Sequence, residues 1–471
     1  MSLLNNRISP LGLCLWLFAF TLLGSAQEPP ATSLRLESAV ELSLQNYPAI
    51  RAVKALASAA ANGEEIARTA YLPRVEIDWQ QTRGTRNNVF GQFFPQGAIP
   101  PISGPLLGNA SFTESAWGSG GGLLLAWEPF DFGLRKAGVK LASRLADEAQ
   151  ARVVVTQLDV ATAAADTFLR VVAADQAVCA AQANVDRMEA FSKSVHVLAD
   201  NQLRPGADAS RTDAELAAAR SVLIQARQQA NLARVALAEA IGLAGQSITV
   251  DAGPLLEFLP SALPAQSGDS STHPLMKLQT ASLDIILARQ QVLDRSFFPR
   301  FNWQTAIFGR GTGARADGRL LEGHGFYPDT PNWAIGLTIS FAPTDLFFLR
   351  ARRRQEVNNL TAEQAKADQT AQRLKTEEAQ ARAYLEASRE LTDNTPRQLQ
   401  AAQETELRVR KRYEAELGTV VEVAEAQRLL AQAEVENALS RLSVWRARLL
   451  EAKAKGNLNP FLELLKNASV K

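Results

Sequence analysis

The chain has 471 residues, 50 basic and 49 acidic, for a net charge of +1. That balance excludes nucleic acid as a bulk partner, because neutralising phosphates requires a basic excess. With two cysteines and three histidines, the chain offers neither a disulfide framework nor a metal site of the usual ligand spacing.

The chain opens with Arg7, an apolar run from Leu11 to Leu23, and the small residues Gly24, Ser25 and Ala26. This is the pattern of a secretory signal peptide over 1–26, with an apolar core shorter than the ~20 residues of a membrane helix. Cys14 follows Leu13 inside that core and does not read as a lipoprotein cleavage site. An uncleaved anchor is the alternative, and the flanks argue against it. Cleavage leaves Cys179 alone, so no intramolecular disulfide forms. No later apolar run approaches the length of a membrane helix, so any membrane role falls to strands or to surface binding.

Residues 27–259 form a first unit. "SLRLESAVELSLQN" predicts a helix capped by Ser33 with Glu37 in support; Pro48 interrupts it, and a second helix runs to about Thr69. "PRVEIDWQ" then alternates Val75, Ile77 and Trp79 with Arg74, Glu76, Asp78 and Gln80, the two-residue period of a strand, placed at 73–87. A long Gly- and Pro-rich loop leads to a second strand at 117–128, in "GGLLLAWEPF". A helical hairpin is predicted over 134–243. It has no proline from Leu134 to Leu203, an apolar seam of Met188, Phe191, Val195 and Leu198, and a turn at "RPGAD".

Residues 260–457 repeat the plan: a helix at 274–295, strands at 299–309 and 331–342, and a hairpin at 348–455. Pro396 is expected to kink its descending helix. Val435, Leu439, Leu442, Trp445 and Leu449 make a coiled-coil-like seam on the return. Residues 458–471 are left as a tail. The repetition shows in the residues: "NYPAI" from Asn46 answers "THPLM" from Thr272, and "YLPRV" from Tyr71 answers "FFPRF" from Phe297 at the same offset. "WEPFDFGLR" likewise resembles "FAPTDLFFLR", and "GADASRTDAEL" from Gly206 aligns with "GTVVEVAEAQR" from Gly418. The fold class is therefore α+β, mostly α, internally duplicated, with four strands and two long helical hairpins. At ~1.5 Å per residue each hairpin helix is a rod of roughly 100 Å.

Strands of nine or ten residues match the ~9–11 that cross an outer-membrane-type bilayer, and aromatic residues cluster at their ends. Val75, Ile77, Trp79, Trp303, Trp333, Ile335, Leu337 and Ile339 are predicted to face lipid. A soluble sandwich is the alternative, but four strands are few and no other segment supplies a second sheet. In hydrocarbon four strands leave two forbidden edges, so the barrel closes by combining chains. Two chains give eight strands and three give twelve; alternation alone allows either.

The signal peptide, the duplicated plan, "YLPRV" and "FFPRF", and the turn segments "RPGADASRTDAELAAAR" and "RYEAELGTVVEVAEAQRLLAQAE" resemble the TolC-type outer-membrane efflux proteins. The resemblance covers essentially the whole mature chain. It implies a homotrimer whose twelve-stranded β-barrel in the outer membrane is continuous with an α-helical coiled-coil barrel in the periplasm. It implies a passive duct with no cofactor, coupled through a periplasmic adaptor to an inner-membrane transporter of RND or ABC type. It further implies that Glu422 and Glu425 ring the periplasmic pore constriction, with Ser210 and Asp213 as first-half equivalents. Arg204, Pro205, Gly206, Gly418 and Thr419 would then build the tip turns that dock the adaptor. One departure stands out: many relatives have a glycine in the second turn where this chain has Glu416, with Gly418 two positions on.

Other functions fit less well. His196, His273 and His324 lie far apart, no Gly-rich phosphate loop occurs, and no Ser-His-Asp set can be assembled, so no active site is predicted. Met188 and Met276 give no soft-ligand ladder for a metal exporter. A soluble periplasmic coiled-coil scaffold, and a duct for secreted polypeptides in a type I system, remain as alternatives. The run Arg350 to Arg354 after the fourth strand reads either as a solvated helix start or as a contact for anions or lipid head groups.

Overall fold

The computed structural model describes residues 33–85, 111–260, 262 and 263, 270–315 and 319–469. The predicted signal peptide and most of the first long loop lie outside these residues.

In the first half, helices α1 (Leu36–Asn46) and α2 (Pro48–Thr69) precede strands β1 (Arg74–Thr85) and β2 (Ser115–Phe130). Helices α3 (Leu134–Asp200) and α4 (Gly206–Ala240) form the first hairpin. The second half runs α5 (Pro274–Ser296), β3 (Arg300–Thr312), β4 (Thr330–Ser340), α6 (Asp345–Glu414) and α7 (Val420–Ala454). Helix α8 (Asn459–Ser469) closes the chain, so most of the segment expected to be a tail is helical.

Ser33 does not cap α1. The helix begins at Leu36 behind Arg35, with no side-chain cap, because the chain just before it is drawn into a bridge between Leu34 and Val250. Pro48 occupies the first position of α2, where its missing N–H costs nothing. Helix α6 runs unbroken from Asp345 to Glu414 with Pro396 inside it. The hydroxyls around it are buried and tied to α7: Thr392 Oγ1 donates to the Ser440 carbonyl at 3.1 Å, and the Thr395 and Ser440 hydroxyls lie 2.9 Å apart.

The main core sits midway along the helices, away from both the strands and the hairpin turns. Phe168, Trp445, Leu237, Leu449, Phe461 and Leu465 meet there, all at most 2 % exposed. Each fully buried side chain of this size contributes about 1.5–3 kcal/mol. Trp445 also donates its indole N–H to the Phe258 carbonyl at 3.1 Å. Both terminal helices thus lock onto the hairpins at one level. The long helices gain their order by packing, with α3 contacting α2, α4, α5 and α7.

The strands form one antiparallel sheet in the order β1-β2-β3-β4. Directly opposed residues share a face, so the register assigns every side chain. Val75 opposes Leu125, which opposes Thr305 and then Ile335; Ile77, Leu123, Ile307 and Trp333 follow in the next row. The other face carries Arg74, Glu76, Asp78 and Gln80 with Gln304, Asn302, Thr338 and Ser340. Arg74 lies on the same side as Glu76, 3.7 Å from its carboxylate. Glycines make the close pairing possible: a Cβ on Gly121 would stand 2.5 Å from Trp79 Cε3, whose ring crosses it, and one on Gly122 equally close to Phe308 Cβ.

Candidate functional site at the hairpin turns

Both hairpins turn through one backbone device. After α3, Gln202 takes a left-handed φ of 59°, and the Leu203 N–H donates to the Leu198 carbonyl at 2.9 Å. After α6, Glu416 takes φ 65°, and the Leu417 N–H donates to the Arg412 carbonyl at 2.8 Å. This is the Schellman C-cap, in which one left-handed residue redirects the chain and the last carbonyls are satisfied by bonds from the two residues that end it. Glu416 therefore adopts the conformation a glycine would supply, against a steric cost of ~1–2 kcal/mol. Gly418 is tight for a different reason: a Cβ there would lie 3.2 Å from the Tyr413 nitrogen, so the neighbouring backbone would have to give by a few tenths of an ångström. A Cβ on Gly206 would meet nothing within 4 Å.

The superposable turns correct one sequence alignment. Counted from the left-handed residue, Gln202 matches Glu416, and the first helical residues Gly206 and Val420 match each other. Glu422 then corresponds to Asp208 and Glu425 to Arg211, so Ser210 and Asp213 fall two residues off the equivalence. The glycines of "GADAS" and "GTVVE" invited the wrong register because one opens a helix and the other precedes its cap.

Thr419 is the N-cap of α7, its hydroxyl accepting from the Glu422 N–H at 3.3 Å. A Thr cap with Glu three residues on is the capping-box pattern, and Glu422 also lies 3.9 Å from the Arg412 guanidinium. Glu425 is tied to Arg428 on its own helix, with Nε at 3.0 Å from Oε2. That hydrogen bond holds its carboxyl below the ordinary carboxylate range. Ser210 donates back to the Gly206 carbonyl at 3.4 Å. Asp213 accepts from Ser192 at 3.0 Å and lies 2.9 Å from His196 Nε2, both on α3. The bond to His196 and then that to Ser192 lower its pKa.

A small core joins the two turns. Phe191 and Val195 of α3, Ala209 of α4, Tyr413 of α6, and Val420 and Val423 of α7 pack together. The Tyr413 and Phe191 rings meet edge to face at 5.2 Å, and the Arg204 guanidinium lies 4.8 Å above the Tyr413 ring. Arg204 also donates to the Tyr413 carbonyl at 3.1 Å. Higher up, Arg187 of α3 and Glu434 of α7 form a two-point ion pair at 3.0 and 2.8 Å. Sequence reasoning missed Tyr413, His196 and Arg428 as members of this region. Only Tyr413 left a sequence signal, as a bulky aromatic beside the turn motif "RYEAELG".

Far from the turns, the eight residues expected to face lipid all share one face of the sheet. In the chain alone they are bare: Ile77 is 78 % exposed, Trp333 77 % and Ile307 beside them 64 %. A contiguous apolar face of this extent marks an interaction surface. The outer edges of β1 and β4 have no partner strand among the described residues.

The family model described as outer membrane efflux protein matches residues 39–243 and 271–450. Comparison with curated proteins gives no match. Among solved structures, the chain is similar to the outer-membrane channel OprN at 21% identity, with 90% of each chain covered and a TM-score of 0.71. It is similar to the Campylobacter jejuni CmeC outer membrane channel at 14% identity, covering 92% of this chain and 89% of that one, with a TM-score of 0.73. The open state of the Neisseria gonorrhoeae MtrE outer membrane channel matches at 19% identity over 90% and 89% of the two chains, with a TM-score of 0.71. At such identities the likeness speaks for the fold.

Proposed function

Because the chain belongs to the outer membrane efflux protein family, we propose that it is the passive exit duct of a tripartite efflux pump. Three copies close a twelve-stranded barrel by pairing β4 of one copy with β1 of the next, and the helical hairpins continue it as a tunnel through the periplasm. A periplasmic adaptor grips the turn region, and an inner-membrane transporter of RND or ABC type supplies the energy. The observation that carries this reading is the sheet itself: among the described residues it has four strands, one apolar face laid bare, one polar face, and two unpaired edges. Hydrocarbon tolerates an apolar face and forbids an open edge, so closure by further copies resolves both. The polar face, with Glu76, Asp78, Gln80 and Gln304, then lines a wet lumen, and Val75, Trp79, Trp303, Ile335, Leu337 and Ile339 face lipid.

At the other end, Glu422 and Glu425 surround the narrowest point, with Arg204, Pro205, Gly206, Gly418 and Thr419 shaping the docking turns. Asp208 replaces Ser210 as the first-half counterpart of Glu422. Asp213, held by His196 and Ser192, stiffens the first hairpin instead of lining the pore. Size-exclusion chromatography with light scattering tests the assembly: the protein should require detergent and run at three chain masses. A monodisperse monomer in detergent-free buffer would refute the duct and restore the soluble scaffold.

A further inference from the structure

A cleft of about 570 Å³ opens between the start of α3 and the end of α5, where the two central strands meet the helices. Its floor is aromatic. The Phe132 and Phe298 rings stack at 4.9 Å with 21° between their planes. Phe132 also lies 6.1 Å from Phe301, which opposes Ile339 on the apolar face of the sheet. The floor is thus continuous with that face.

The walls are cationic. Lys136 and Lys140 come from α3 and Arg295 from α5. Lys140 donates to Gln291 Oε1 at 3.1 Å, and Lys136 makes no ion pair among the described residues. One carboxylate, Asp294, lines the cleft, and Arg353 from the basic run at the start of α6 holds it at 3.3 Å. The cleft therefore presents net positive charge directly beside bare apolar surface. It also lies where β2 and β3 join the helices, one strand inward from the β1 and β4 edges of the sheet.

We propose that this cleft binds an anionic glycerophospholipid of the leaflet nearest the helices. Its phosphate lies between Lys136, Lys140 and Arg295, and its acyl chains run over Phe298 and Phe301 onto the apolar strands. The charge complements a phosphodiester, and the aromatic floor leads the chains onto the face that already needs hydrocarbon. The inference rests on the sheet being membrane-embedded.

Native mass spectrometry of the purified full chain from micelles doped with phosphatidylglycerol or phosphatidylcholine tests it. The wild type should retain phosphatidylglycerol preferentially. Lys136→Gln with Lys140→Gln should weaken that preference about thirtyfold, the worth of two cations at an anionic surface. Lys193→Gln with Lys411→Gln, near the turns, should leave it unchanged. Equal retention in wild type and cleft variant would overturn the site, as would an equal loss in the turn variant. Complete displacement of the lipid by millimolar inorganic phosphate would overturn it in favour of a free-anion site. Flotation of the wild type with neutral phosphatidylcholine vesicles separates the two levels: failure to float removes the membrane reading, whereas flotation with indifferent variants removes only the cleft.

Discussion

Replacing Tyr413 tests how the two hairpins are held together. The residue is 3 % exposed, with Phe191 against one side of its ring and Arg204 over another. Truncation to alanine removes a buried aromatic, a loss of about 3–5 kcal/mol, within which the ring pair supplies ~0.5–1.5 and the cation contact ~0.5–1. The phenol is a separate matter. Its oxygen is buried without a hydrogen-bond partner, and burial raises its pKa. Carrying an unpaired buried hydroxyl costs about 1–3 kcal/mol, so Tyr413→Phe should tighten the region by about 1 kcal/mol. The Arg204 bond to the main-chain carbonyl survives in both variants. Hydrogen–deuterium exchange over residues 409–423 in detergent is the assay. Tyr413→Ala should speed exchange there by about a hundredfold, the equivalent of ~3 kcal/mol of local opening, while Tyr413→Phe slows it. Similar acceleration by both variants would refute the reasoning, since the hydroxyl would then have to be bonded.

Three further outcomes follow from other groups in the structure. Arg448 is 3 % exposed and bonded to Glu451 at 2.6 Å, so Glu451→Gln should cost about 3–5 kcal/mol by stranding a buried cation, and Arg448→Met should be near neutral in a thermal melt. Partial burial pushes the Glu451 carboxyl up, but hydrogen bonds from Lys455 and Arg448 hold it below its ordinary value. Its share of stability is full above the ordinary carboxylate pKa and is lost as pH falls through the lowered folded value. His273 caps α5 by accepting the Leu275 N–H at 3.1 Å, and burial lowers its pKa. Stability from this group should be complete above about pH 6.5 and decline below it, a slope that His273→Asn, which keeps a cap acceptor, should flatten in pH-dependent melts. In planar bilayers Arg428→Ala should sharpen cation preference by freeing Glu425, while Glu422→Ala with Glu425→Ala should raise conductance and weaken that preference; unchanged selectivity in both would remove these carboxylates from the pore.

The architecture was legible because its signals are periodic. Alternation placed all four strands, and a proline-free run from Leu134 placed the long α3 to within a few residues of its end. Local competition was harder to read. Ser33 has the right side chain for a cap, but the Leu34 bridge to Val250 claims the backbone first. The turn equivalence slipped by two because glycine marks two different jobs at Gly206 and Gly418, whereas the residues that share a left-handed φ, Gln202 and Glu416, have no sequence sign of it. Pairings such as Asp213 with His196 depend on the rotation of one helix against another. Composition carries no record of that angle.

The central seam of the sheet joins Gly118 to Thr312 and Trp127 to Trp303, residues separated by the entire first hairpin. By contrast, α3 folds against α4 and α6 against α7 across turns of a few residues. Loop-closure entropy makes distant pairings slow relative to local ones. The two helical hairpins and the β1–β2 and β3–β4 pairs are therefore local contacts, and the β2–β3 seam is the pairing that waits for the first hairpin to bring its strands together.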